Sequence, residues 1–177
     1  MKKKYSKLKI IFTIFVLFTI TSCWYYSVRP GTIPSGITNI AVPKIQNETA
    51  EFNLGENLTA SVISEIISEN ILPLVDEGGA SSILYITIKN ISEKPHSYDE
   101  TEVVKEYQVS ISTEFKWYGT KEKTDLMTGT VSQNEIYFSD NYNGQLSSDD
   151  QIVREDAILK LNETLSEKII LKLTSDW

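Results

Sequence analysis

The amino-acid sequence predicts an α+β domain: two helices packed on a four-stranded mixed or antiparallel sheet, in the order β-α-β-β-β-α. Three observations carry that prediction. Leu54, Leu58, Val62 and Ile66 recur every four residues, which gives one apolar stripe at the helical period. Ala157, Leu161, Leu165, Ile169 and Leu173 repeat the pattern near the end of the chain. Between them, Glu106 to Trp117 alternates without interruption. Tyr107, Val109, Ile111, Thr113, Phe115 and Trp117 fall on one side, with Glu106, Gln108, Ser110, Ser112, Glu114 and Lys116 on the other. That is a strand with a dry face and a wet face.

The remaining elements follow in chain order. Ile37 to Val42 reads as a first strand ended by Pro43, and Lys44 to Glu51 as a polar connection. The first helix covers Asn53 to Ile71, with Asn53 and Glu56 as a capping pair and Gly55 weakening the first turn. Pro73 and Asp76-Glu77-Gly78-Gly79 close it. Ser82 to Ile91 is the second strand, with Leu84, Ile86 and Ile88 on one face and Ile83, Tyr85 and Ile91 on the other, the pattern of a covered strand. Ser92 to Thr101, with Pro95, His96 and Asp99, reads as a polar loop, and Gly119 to Asp125 as a charged turn. In the last strand, Leu126 to Phe138, the apolar parity switches from Met127 and Val131 to Ile136 and Phe138, which predicts a bulge near Gln133-Asn134. After a polar stretch from Ser139 to Ser147, Ser148 and Gln151 form a capping box for the closing helix, and Asp149 and Asp150 suit its positive end.

The N-terminus reads as an export segment. Met1 to Lys9 is basic, and Ile10 to Ile20 is apolar apart from threonines. Eleven helical residues span about 16 Å, roughly half of a bilayer's hydrocarbon core, so the run suits a signal peptide better than a membrane span. Ile20-Thr21-Ser22-Cys23 resembles the bacterial lipobox, in which small residues admit the peptidase and the thiol accepts a diacylglycerol. Cys23 is the single cysteine, which makes it the expected lipidation site, with cleavage after Ser22 and acyl chains such as palmitate attached. At ~0.8 kcal/mol per buried methylene, two or three chains anchor a protein almost permanently. Trp24, where an aspartate would favour inner-membrane retention, is compatible with the outer membrane. The expected organisation is a lipoprotein signal peptide over 1–22, a lipidated tether over 23–36 rich in Pro and Gly, and one domain over 37–177.

Composition narrows the function. Removing the first 22 of 177 residues takes away five lysines and no acid, so the net charge moves from −7 to −12. Such a surface is a poor partner for phosphate backbones, and nucleic acid is not expected. One cysteine and one histidine leave no thiolate zinc cluster and no multi-histidine site, and no cofactor is expected. His96 reads as an exposed loop residue, and Asp149-Asp150 and Glu155-Asp156 as carboxylates complementing a helix dipole. With no phosphate loop and no nucleophile elbow, no catalytic residue is assigned and the chain is not expected to be an enzyme. The mid-chain lysines alternate with acids as a solvated face does; Lys121 and Lys123 are the candidate ligand contacts should an anionic lipid head bind.

Taken together, these features resemble the LptE (RlpB) family of lipopolysaccharide-assembly lipoproteins. The matching residues are Cys23 with Tyr25-Tyr26, then Ile33-Pro34 leading to Ile37-Thr38-Asn39-Ile40-Ala41-Val42. The Leu54–Ile71 helix, the Glu106-Tyr107-Gln108-Val109 opening of the third strand, and Ile152-Val153 near the closing helix complete the set. The resemblance implies a small two-helix, four-stranded domain seated inside an LptD-type outer-membrane β-barrel. There it would support assembly of the barrel and plug it for lipopolysaccharide export. It also implies basic residues between the second and third strands and near the start of the closing helix. This chain departs from that pattern, with Ser97-Tyr98-Asp99-Glu100-Thr101-Glu102 and Ser147-Ser148-Asp149-Asp150-Gln151 in those places. Plugging survives such a loss more readily than direct binding of a phosphorylated lipid. The competing expectation is a free-standing ligand-binding lipoprotein, facing the periplasm and not tied to a barrel, that uses the sheet face between the helices.

Overall fold

The structure, a computed structural model, describes residues 33–140 and 152–175. Its strands are β1 (Ile40–Ala41), β2 (Gln46–Asn47), β3 (Ser82–Tyr98), β4 (Val104–Gly119) and β5 (Thr124–Phe138). Helix α1 (Leu54–Ser68) lies between β2 and β3, and α2 (Arg154–Ser175) follows β5. The sheet runs β1-β3-β4-β5, with β2 also on β3; β1 and β2 are parallel to β3, and β3, β4 and β5 are antiparallel. This is the expected α+β class and order with one strand added. Pro43, which cannot donate to a ladder, interrupts the first strand after Ala41, and the chain returns to β3 at Gln46-Asn47 inside the stretch expected to be a connection.

Ahead of β1 the backbone is latched rather than paired. Thr38 and Asn39 donate their N–H groups to Ser81 Oγ at 2.9 and 3.0 Å, and Ser81 N donates to Asn39 Oδ1 at 2.6 Å.

Helix α1 starts one residue late and without the expected cap. Asn53 is left-handed, with φ 59°, and its side chain makes no capping bond; Glu56 pairs instead with Lys44 at 2.5 Å. Gly55 has a positive reason to be there, because a Cβ at that position would lie 2.7 Å from the Ile45 carbonyl oxygen where α1 crosses the lead-in to β2. At the other end, Asn70 (φ 49°) donates to Ile67 O and Ile71 donates to Ile66 O, the paired bonds of a Schellman motif. That ends the helix at Ser68, short of Ile71.

Strand β3 is longer than the sequence suggests, reaching Tyr98 through Pro95 and His96. Its outer neighbours, β1 and β2, stop at Ile88, so the later half has one open edge where a proline costs no sheet bond. His96 is exposed, as expected, but on a strand rather than in a loop. Lys89 is a bulge, since Ile88 faces Thr113 while Asn90 faces Ser112. The bulge reverses the parity of the residues from Asn90 to Pro95, beyond which the register shifts again. Ile91, expected opposite to Leu84 and Ile86, sits across from Ile111 and packs against the same core.

In β5 the expected bulge at Gln133-Asn134 is absent. Pairing with β4 is continuous from Met127 to Phe138, and the irregularity lies at Leu126. Ile136 and Phe138 therefore project from the face opposite Val131 and Tyr137. The closing helix starts at Arg154, so Glu155 and Asp156 occupy its first turn; the predicted Ser148–Gln151 cap lies outside the described residues.

One face of the sheet carries both helices. Leu54, Leu58, Val62 and Ile66 of α1 and Ala157, Leu161, Leu165 and Ile169 of α2 form one core with Leu84, Ile86, Ile111 and Trp117. The other face carries no helix among the described residues.

Candidate functional site

The open face is built in cross-strand rows that the register defines. Tyr85, Lys116 and Thr128 stand side by side on β3, β4 and β5, and Gln46, Thr87, Glu114 and Thr130 form the next row across β2, β3, β4 and β5. Because β1 gives way to β2 at Pro43, the edge here is irregular, and a groove of about 780 Å³ opens between Lys44 and Gln46 on one side and Thr128 and Thr130 on the other. Tyr118 contributes a second aromatic ring to its lining. Lys116 Nζ lies 5.7 Å from the Tyr85 ring centroid and 3.9 Å from Asp125 Oδ1, so the ammonium is held between a ring and a carboxylate. The groove thus combines two aromatic rings, several hydroxyls and an amide, with charges that offset one another.

The second constellation surrounds Arg154 at the start of α2. Its Nη1 and Nη2 donate to the two oxygens of Glu51 at 3.1 and 2.8 Å, and its Nε donates to Glu93 Oε2 at 3.0 Å. Glu51 is presented by a short turn in which Asn47 Nδ2 donates to Glu51 O at 2.8 Å and Asn47 Oδ1 accepts from Thr49 N and Oγ1. Glu93 reaches the helix side of the sheet because of the Lys89 bulge. The forked bond from Arg154 holds the Glu51 carboxyl below the usual carboxylate range. The bond to Glu51 and a further one to Glu93 push the Arg154 guanidinium upward. Burial, reinforced by a hydrogen bond to Glu93, raises the Tyr137 phenol well above its ordinary value. Tyr107 stacks on Tyr137 with centroids 5.8 Å apart. Glu51, Glu93 and Arg154 thereby tie together three chain segments that are far apart in sequence, a positioning role.

Lys121 and Lys123 are exposed in the β4–β5 turn, and the structure brings neither to the groove. Asp99 is engaged by its own turn: its Oδ1 accepts from Thr101 N and Oγ1 at 2.8 Å and from Val103 N at 3.0 Å. The Thr101 hydroxyl bond is the main cause of its lowered carboxyl value. Cys23 and Ser22 lie outside the described residues. Among the described residues no group of three or more His, Cys, Asp or Glu is placed to hold a metal ion, and no helix is long and apolar enough to cross a membrane. The sheet face between the helices, where the competing expectation places a ligand, is filled by the core, and sequence reasoning missed both the groove on the opposite face and Arg154. The signal for the first was present in the wet positions Glu114 and Lys116 of β4 and in Tyr85, an aromatic residue on the face of β3 opposite Leu84 and Ile86. Arg154 sits a few residues beyond Asp149-Asp150 and is the one cation in the first turn of the helix.

The lipopolysaccharide-assembly family LptE matches residues 37–173. No curated protein matches the chain significantly. Among solved structures, the PelC dodecamer of Paraburkholderia phytofirmans superposes with a TM-score of 0.54 at 12% identity, covering 82% of this chain and 95% of that one. The rare lipoprotein B of Shewanella oneidensis gives 0.53 at 14% identity, covering 77% and 93%. Lipoprotein B of Nitrosomonas europaea gives 0.52 at 12%, covering 78% and 83%. At these identities the likeness is one of fold.

Proposed function

The chain belongs to the LptE family of lipopolysaccharide-assembly proteins, and on that premise we propose an outer-membrane lipoprotein that assembles with, and plugs, an LptD-type β-barrel carrying lipopolysaccharide to the cell surface. In this reading the protein is held in the membrane by acyl chains on Cys23 and works from the periplasmic side or within the barrel lumen. It has no enzymatic step. The observation that carries the reading is the extent of the family match, which spans the described domain from before β1 into the last turn of α2.

The charge pattern favours a plug over a carrier of phosphorylated lipid. A carrier needs a concentrated cationic site. Arg154, the basic residue at the start of α2, is already neutralised by Glu51 and Glu93, and Lys121 and Lys123 stand alone on an exposed turn beside Glu122. A plug needs shape and charge complementarity over a wide area, which an acidic domain provides in a basic lumen.

The test is purification of the full lipoprotein in detergent through an affinity tag placed after Trp177. A large barrel protein is expected in stoichiometric amount, and depletion of the lipoprotein is expected to leave that barrel misassembled. A barrel that folds and accumulates normally without its partner, together with a lipoprotein that purifies alone, would favour the free-standing ligand-binding reading.

A further inference from the structure

The open face of the sheet differs in character from the rest of this acidic domain. Beyond the groove its rows continue as Asn90–Ser112–Ser132 and Ser92–Ser110–Asn134. Ser132 Oγ donates to Ser112 Oγ at 2.9 Å, and Gln108 Nε2 donates to Asn134 Oδ1 at 3.1 Å, so small polar side chains already bridge neighbouring strands. Hydroxyls and amides outnumber charges there, and at the groove Lys116 is paired with Asp125 while Glu114 adds a carboxylate to the lining.

Each ligand class makes a different demand on such a surface. A nucleic acid or a phosphorylated head group needs surplus cations; Lys116 is held by Asp125, and Lys44 is paired with Glu56. An acyl chain needs a continuous apolar lining, and a protein interface needs desolvated aromatic or aliphatic anchors. Ile86 and Phe115 border the groove but are buried in the core on the helix side of the sheet, and the side chains of Thr87, Thr128 and Thr130 on the open face suit neither. They do suit a ligand that is itself covered in hydroxyls, because each threonine hydroxyl donates one hydrogen bond and accepts two, and Gln46 and Glu114 extend that exchange. Tyr85 and Tyr118 add what a sugar ring also needs, an apolar aromatic surface ending in a polar tip. At about 780 Å³ the groove falls within the range of small-molecule sites, roughly 300–1,000 Å³.

We infer that this groove is an oligosaccharide-binding site, with Tyr85 and Tyr118 as stacking platforms and Thr87, Thr128, Thr130 and Glu114 as hydrogen-bonding groups. The polar rows beyond it extend the contact to a longer glycan lying across the strands. The site belongs to the domain alone and does not depend on a barrel partner. The same chemistry is offered by the glycan portion of a lipopolysaccharide and by a free polysaccharide.

The test uses the full lipoprotein in a detergent without a sugar head group. It is titrated, with saturation-transfer NMR as the readout, against two probes: lipid-free oligosaccharide released from lipopolysaccharide by mild acid, and maltoheptaose. Saturable binding of either probe supports the site. Binding of the first alone assigns the lipopolysaccharide source, and binding of maltoheptaose assigns a general glycan groove. Affinity is expected to fall about tenfold in Tyr85→Ala and in the near-isosteric Thr130→Val. It is expected to be unchanged in Tyr98→Ala, an exposed tyrosine outside the groove, and to vary little between about 0.05 and about 0.5 M salt. Absence of binding to both probes, parent-like affinity in folded Tyr85→Ala and Thr130→Val, or binding confined to phosphorylated glycan and lost with salt would each overturn the inference.

Discussion

Glu93 of β3 meets the guanidinium of Arg154 at 3.0 Å, across 61 residues of sequence, and does so from the helix side of the sheet. Without the extra residue at Lys89, Glu93 would project from the open face. One bulge therefore decides both where the core continues, through Ile91 against Ile111, and where α2 is tied down.

The tie to Glu51 has a pH signature. The Glu51 carboxyl titrates below its ordinary value of 4.5 in the folded chain, chiefly through its bond to Arg154. A lowered native value stabilises the fold above the unfolded value, and that stability is lost as pH falls through the native one. The parent's melting temperature should drop more steeply than that of Glu51→Gln as pH is lowered from about 5 to about 3. Parallel profiles would show that the pair contributes nothing. At neutral pH, Arg154→Ala should cost about 1–2 kcal/mol by denaturant titration, a figure already reduced for the partial exposure of the cluster.

The two faces of β4 should respond unequally. Ile111 is buried in the core, so Ile111→Ala should destabilise by ~2–5 kcal/mol, while Ser110→Ala on the open face should stay within about 0.5 kcal/mol. Equal shifts in denaturation midpoint would mean the faces are reversed.

Gly129 is fitted to Phe115, its cross-strand partner. A Cβ at Gly129 would stand 2.8 and 2.9 Å from Phe115 Cε1 and Cζ, and the ring is buried against the core. Gly129→Ala should cost about 1–3 kcal/mol through overpacking. Adding Phe115→Leu should recover part of that loss in a double-mutant cycle; strictly additive losses would refute the steric account.

Cys23 can be tested in cells. A fatty-acid probe should label the parent and leave Cys23→Ala unlabelled and released from the membrane fraction. Label retained by the variant would place the anchor elsewhere.

Asn162 lies buried on α2 with neither side-chain amide atom hydrogen-bonded among the described residues. A buried polar group left unsatisfied costs about 1–3 kcal/mol, so Asn162→Leu should raise the melting temperature. A fall would indicate that shape, not polarity, sets this position.

What the sequence determined by itself was whatever depends on local periodicity. The four-residue stripes of Leu54–Ile66 and Ala157–Leu173 and the two-residue alternation of Glu106–Trp117 each announce the face that must be dried, because a helix or strand exposes its period within one segment. Element order, fold class and the dry face of β4 follow from that, and the family resemblance rests on the same signatures. Tertiary structure alone decided everything set by a neighbour. Pro95 looked like a loop residue until β1 and β2 proved too short to reach it. The parity change in β5 looked like a bulge at Gln133, yet β4 holds that register straight and places the irregularity at Leu126. The groove exists because two short edge strands part around Pro43 beside Tyr85, and Arg154 finds its carboxylates in segments far away in sequence. Pairing register and long-range charge contacts are properties of two segments at once, and no single run of residues encodes them.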